Sequence, residues 1–250
     1  MWQSENQTGE MPVPGGNFAL VLNTVGTSTL YAKWLAGDGT QLATNQVNLV
    51  CVSTEPAPVR LRLVGNPALA NVLRDQGYAV SEGDPSSARA DEIVIARSYT
   101  SVLQAYVQGG GRLLLLADPA DSQGSAESIA LPVGFVLPRA GSVWQGDWAN
   151  SIAWVKKQGP LAHLPGAPLL EMEWANIMPD SVLIGLPTWA YLNHSWAGLA
   201  LGWLHRAVSL LTVMPYGRGH ILITTFRLNA TTLAGDAIAQ ALFAGMLNLL

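Results

Sequence analysis

From Val59 to Asp121 the hydrophobic pattern switches between two periods. VRLRLVG (from Val59), YAVSEG (from Tyr78), DEIVIARS (from Asp91) and RLLLLADPAD (from Arg112) are short runs rich in β-branched residues and leucine, and they predict strands. NPALANVLRDQG (from Asn66) and YTSVLQAYVQGGG (from Tyr99) repeat their apolar residues at helical spacing. In the second of these, Val102, Leu103, Tyr106 and Val107 fall on one face, and a left-handed cap is expected at Gly109. Strand and helix in alternation predict parallel βαβ units with right-handed crossovers. The unbroken run Leu113 to Ala117 predicts a central strand covered on both faces.

The pattern differs on either side of this region. Ahead of it, FALVLNTVG (from Phe18), TLYAKWLAGDG (from Thr29) and QVNLVCVS (from Gln46) predict antiparallel strands joined by glycine-containing turns. Leu30, Ala32 and Trp34 alternate there with Tyr31, Lys33 and Leu35, so apolar groups are expected on both faces, both partly covered. Three strands leave unpaired edges and require packing on the next domain, another chain or a larger sandwich. The texture changes at STEPAP (from Ser53), which places a boundary between 1–57 and 58–250. Beyond Asp118 periodicity fades until about Pro179, then strands return at Ala197, Val208 and Gly219. A final helix sets Ile238, Leu242, Met246 and Leu249 on one face behind Asp236. The fold class expected is α/β: a flavodoxin-like three-layer domain preceded by a short antiparallel β segment.

Composition narrows the function classes. Only 12% of the 250 residues are charged and 49% are hydrophobic, so part of the apolar surface is expected to be covered by something else. Thirteen scattered Lys and Arg against 17 Asp and Glu give no basic footprint for nucleic acid. The polar, acidic start MWQSENQTGE predicts no secretory signal and a mature chain beginning at Met1. The apolar stretch Ala197 to Met214 is broken by His205 and Arg206 and predicts two buried strands rather than a membrane helix. A single cysteine, Cys51, excludes an internal disulfide and a multi-thiolate zinc site and suits a cytoplasmic, reducing setting.

Candidate chemistry is sparse. The glycines at 109–111 follow a helix and precede a strand, the reverse of a phosphate loop, so a helix cap is the better reading. No G-x-S-x-G elbow occurs, Cys51 reads as a buried structural thiol, and His163, His194, His205 and His220 lack metal-ligand spacing. No metal and no cofactor are expected. Carboxylate pairs suited to glycoside hydrolysis would be Asp118 with Asp121, or Glu171 with Glu173. Asp118 directly follows the buried leucine strand, where open α/β sheets bind ligands; capping of the next turn is its alternative role. Trp144 and Trp148 flank Asp147, an arrangement that serves sugar stacking, or core and interface packing, equally well.

YVQGGGRLLLLADPAD, GDWANSIAWVKKQGPLAHLPGAPLLEMEW and YGRGHILITTFRL together resemble the C-terminal region of large bacterial glycoside hydrolase family 2 proteins, the β-galactosidase group. The resemblance implies a class I glutamine-amidotransferase-like domain over Pro58 to Leu250, similar in fold to the trimerisation domain of family 42 β-galactosidases. It also implies that Phe18 to Ser53 are the last strands of an immunoglobulin-like sandwich. The amidotransferase nucleophile and His-Glu pair are missing, since Cys51 lies in the first segment and Ile221 and Leu222 follow His220. A catalytic barrel of about 250 residues has no room here. The expectation is a non-catalytic accessory module that packs with copies of itself or with a glycosidase catalytic domain or subunit. The rival is a small stand-alone carbohydrate-active enzyme or sugar binder, its site formed by Asp118, Asp147, Trp144 and Trp148.

Overall fold

The computed structural model describes residues 25–117, 129–131, 134–145, 151–202 and 206–250. The chain divides into two compact units, Met1–Cys51 and Val52–Leu250.

In the first unit, β1 (Gly26–Leu35) and β2 (Gln41–Cys51) form an antiparallel hairpin. Its register puts apolar groups on both faces, as the alternation in the sequence predicts. Residues directly opposite one another share a face, and the pairs Ser28–Leu49, Leu30–Val47, Ala32–Asn45 and Trp34–Ala43 lie on one side. The other side carries Thr27–Val50, Thr29–Asn48, Tyr31–Gln46, Lys33–Thr44 and, past a bulge, Leu35–Gln41, with the Thr29 hydroxyl donating to Asn48 Oδ1 at 3.0 Å. Neither side is closely covered, for Tyr31 is 63% and Val47 50% exposed. Cys51 is half-buried at the end of β2 rather than fully enclosed. The strand expected at Phe18 lies outside the described residues.

The second unit is mixed α/β. Strands β3 (Arg60–Leu63), β4 (Ala79–Glu82), β5 (Glu92–Ala96) and β6 (Arg112–Leu116) alternate with helices α1 (Pro67–Asp75) and α2 (Ser101–Gln108). Later come β7 (Ile129–Leu131), β8 (Gly134–Pro138), β9 (Ser151–Val155), β10 (Ser181–Ile184), α3 (Thr188–His194), β11 (Ser195–Leu201), β12 (Arg206–Tyr216), β13 (Gly219–Thr224), α4 (Ala230–Gly235) and α5 (Ala237–Leu247). Strands β3 to β13 form one sheet, its main path running β4-β3-β5-β6-β13-β12-β10-β8-β7. The first five of these are parallel neighbours; from β12 onward the pairing is antiparallel, and β11 and β9 branch from β12. The stretch Ala197 to Met214 is thus two strands, and no helix among the described residues is long and apolar enough to cross a membrane.

Capping residues fix the helix starts. Asn66 accepts from Leu69 N with Pro67 in the first turn, Thr100 accepts from Leu103 N, and Asp236 accepts from Ile238 N and Ala239 N at 2.8 and 2.9 Å. At the end of α2 the left-handed residue is Gly110 (φ +115°), not Gly109, which stays helical at φ −72°. Because strand side chains alternate, Leu113 and Leu115 enter a core with Val94, Leu103, Val107, Ile221 and Ile223, and Leu114 and Leu116 are buried on the opposite face. Val102, expected in the apolar stripe of α2, is 46% exposed. Helix α5 is enclosed nearly all round, Phe243 and Met246 included, and Phe243 meets Tyr78 edge-on at 5.7 Å.

Candidate functional site

The carboxyl edge of the parallel strands is where an open α/β sheet places a ligand. Here most of its polar groups serve the fold. Asn66 and Thr100 cap helices. At the end of β13, Thr224 and Thr225 both donate to the Leu210 carbonyl, and Phe226 N donates to Thr224 Oγ1. Beside this edge the buried Trp174 indole N–H has no hydrogen-bond partner among the described residues, and the Tyr99 hydroxyl lies by that of Tyr216. Burial and the neighbouring Tyr216 hydroxyl push Tyr99 well above the ordinary tyrosine range, so it stays protonated. Trp174 is fully buried and packs on Phe226 at 6.1 Å.

Of the residues singled out from sequence, Asp118, Asp121, Asp147, Trp148 and His205 lie outside the described residues. Trp144 is described and is buried, 8% exposed. Its carbonyl accepts from Arg139 Nε at 3.2 Å, and Arg139 also donates to the carbonyls of Gln145 and Pro179. One guanidinium thereby ties the Trp144 turn to the entry of β10. Burial lowers the Arg139 pKa, opposed by the charge of Asp180. The histidines are dispersed: His163 Nε2 contacts the Ala241 carbonyl at 3.2 Å, His194 meets Trp189 edge-on, and His220 is exposed on β13. Among the described residues no group of three His, Cys, Asp or Glu could hold a metal.

One buried charge pair escaped the sequence reading. Glu92, 4% exposed, opens β5, and its carboxylate accepts from Arg62 Nε at 3.0 Å, Arg89 N at 2.8 Å and the Ser81 hydroxyl at 2.8 Å. Burial pushes its pKa up, but these three hydrogen bonds and the Arg62 charge outweigh it and hold the carboxyl below its usual range. Every oxygen is satisfied and the pair lies at the amino end of the strands, so it holds β3, β4 and β5 together. A Glu after an Asp at a strand start gave no sequence signal for this.

The other feature missed is an aromatic surface built by β9, β11 and α3. Trp154 on β9 stands opposite Gly198 on β11, where an added Cβ would lie 2.5 Å from the indole Cζ2. The tryptophan thus lies over the neighbouring strand. Tyr191 of α3 accepts a hydrogen bond from Trp154, which works against the rise that burial gives its pKa. Lys156 donates to the Leu192 carbonyl at 3.4 Å, and Trp189 is 57% exposed beyond it. The unusual GDWANSIAWV segment was the available signal, but only its last five residues belong to this surface.

No protein-family model matches the chain, and no curated protein is similar to it at a significant level. Among solved structures, the chain is similar to the cold-adapted β-galactosidase from Rahnella sp. R3, at 14% identity and a TM-score of 0.40 over 76% of this chain. It spans 31% of that β-galactosidase chain. It is also similar to two proteins described as cytoplasmic, from Salmonella typhimurium LT2 and Salmonella typhimurium. Their identities are 10% and 9%, with TM-scores of 0.42, over 89% and 90% of this chain and 96% of each of theirs.

Proposed function

We propose that the chain is a non-catalytic accessory and assembly module of a β-galactosidase-like glycosidase system, acting in the cytoplasm. Its first unit is then the closing ribbon of an immunoglobulin-like sandwich and its second a flavodoxin-like, amidotransferase-like domain. The register of the hairpin carries this reading. Strands of 10 and 11 residues present Leu30, Trp34, Val47 and Leu49 with Asn45 on one face, and Tyr31, Leu35 and Val50 among Thr29, Lys33, Thr44, Gln46 and Asn48 on the other. The more apolar of these faces suits packing on a second sheet, and the apolar residues of the other suit a ribbon with neighbours on both sides. A two-stranded ribbon is marginal without such a partner. The parallel strands support the domain assignment, since in chain order they lie second, first, third, fourth, fifth across the sheet.

Glu92 and Asp180 pair with Arg62 and Arg227, and Asp236 caps a helix amino terminus, so each has a structural role. Hydrolysis of a panel of nitrophenyl glycosides, the β-galactoside included, tests the proposal. The purified 250-residue protein is expected to give no turnover above buffer. Turnover that follows the protein through purification, and is abolished by Asp118→Asn or Asp147→Asn with the melting temperature unchanged, would overturn it.

A further inference from the structure

We propose that the amino end of the parallel strands carries an anion site, three arginines grouped around Asp91 that take the dianionic phosphate group of a small phosphate monoester. The site is separate from the assembly role proposed above. Arg60 opens β3 and Arg112 opens β6, the two strands that flank β5, and Arg89 stands three residues ahead of β5. All three converge on one residue. Arg60 Nε lies 3.2 Å from Asp91 Oδ2, Arg89 Nε lies 3.5 Å from Oδ1, and Arg112 Nη2 donates to the Asp91 carbonyl at 2.8 Å. The turn that presents Asp91 is itself fixed. Glu92 N donates to the Arg89 carbonyl at 3.0 Å, the buried Glu92 carboxylate accepts from Arg89 N at 2.8 Å, and the Tyr106 hydroxyl donates to the Glu92 carbonyl.

The charges within this group do not balance. Three guanidiniums surround one exposed carboxylate, the neighbouring Glu92 being paired with Arg62, so two positive charges stand uncompensated on a protein of net charge −4. Exposed ion pairs add little to stability and crowded cations repel, so the fold gains little from gathering them. A bound dianion relieves that repulsion. Arg60 and Arg89 meet Asp91 through Nε, and neither side chain makes another hydrogen bond among the described residues, which leaves their Nη donors available on side chains 54% and 61% exposed. Such forks grip phosphate oxygens in pairs. Charge selects among anions, because a phosphate monoester carries nearly two negative charges at neutral pH and matches the excess, whereas one carboxylate would leave half of it. Arg218, the next cation along this edge, donates to the Gly109 carbonyl at 3.1 Å, so the group suits one phosphate rather than the phosphate run of a nucleic acid.

Calorimetric titration of the full 250-residue protein with methyl phosphate at physiological ionic strength tests the site. Saturable binding with a Kd below about 5 mM is expected, weakened more than about fivefold by Arg60→Gln and by Arg89→Gln with melting unchanged. Arg60→Lys keeps the charge without the fork and is expected to lose affinity as well. Arg74→Gln removes an exposed arginine from a one-to-one pair with Glu82 and should bind as the wild type does. No saturation well above that concentration overturns the proposal, and so does equal weakening by Arg74→Gln, which would reflect bulk charge alone. Sulfate that competes as well as the ester would mean an adventitious ion only. An acidic peptide bound more tightly than the ester, and released by Arg60→Gln, would give the arginines to a protein partner instead; either result also overturns the proposal.

Discussion

Trp154 lies over Gly198, and the strand pairing has room for the indole only because residue 198 lacks a side chain. A Cβ there would stand 2.5 Å from the ring and 2.7 Å from the Val208 carbonyl. Gly198→Ala is therefore expected to destabilise the second unit by about 1–3 kcal/mol. The effect should be smaller when Trp154 is already leucine, because one of the two clashes is then gone. A thermal double-mutant cycle reads this directly, and additive losses would show that the ring does not depend on the glycine.

Glu92→Gln keeps the shape of the side chain and leaves Arg62 without its buried counter-charge. A loss of about 3 kcal/mol is expected at neutral pH. The wild-type carboxyl has a lowered pKa in the fold, so the stability it contributes is complete above the ordinary value of 4.5 and is lost as pH falls below that through the lowered value. The Gln variant should lack this component of acid sensitivity, as seen by denaturant titration across that window.

Arg139→Met removes three donors at once and leaves the carbonyls of Trp144, Gln145 and Pro179 to find water. A cost of about 2 kcal/mol is expected. Faster amide exchange should appear at Ser142, whose N–H bonds the Arg139 carbonyl, and at Gln145, while α5 keeps its protection. Uniform loss of protection through the whole unit would mean that Arg139 supports more than this turn.

Two glycines near the end of α2 should respond differently to alanine. At Gly219 the new Cβ would meet the Gly111 carbonyl at 2.1 Å and the Val107 carbonyl at 2.4 Å, both backbone. Gly219→Ala is expected to cost more than about 4 kcal/mol or to prevent folding. At Gly110 the space is open and only the φ of +115° opposes a side chain, so Gly110→Ala should cost about 1–2 kcal/mol. Comparable melting temperatures for the two variants would contradict this account.

The sequence alone determined the βαβ units from β3 to β6, while the parallel pairing of β13 with β6 came from the tertiary structure. The starts of α1, α2 and α5 are marked by Asn66, Thr100 and Asp236, and the leucines of β6 declare a strand covered on both faces. These signals are legible because a cap bonds residues two or three positions away and a strand's period is carried by adjacent residues. Tertiary structure decided the register of the hairpin, in which Leu30 faces Val47 rather than a neighbour one position along. It likewise decided that Glu92 is buried against Arg62 and that Trp154, Tyr191 and Leu192 share a surface. Each of these contacts joins residues distant in the chain, and their proximity is set by sheet register and helix packing, which no local pattern encodes.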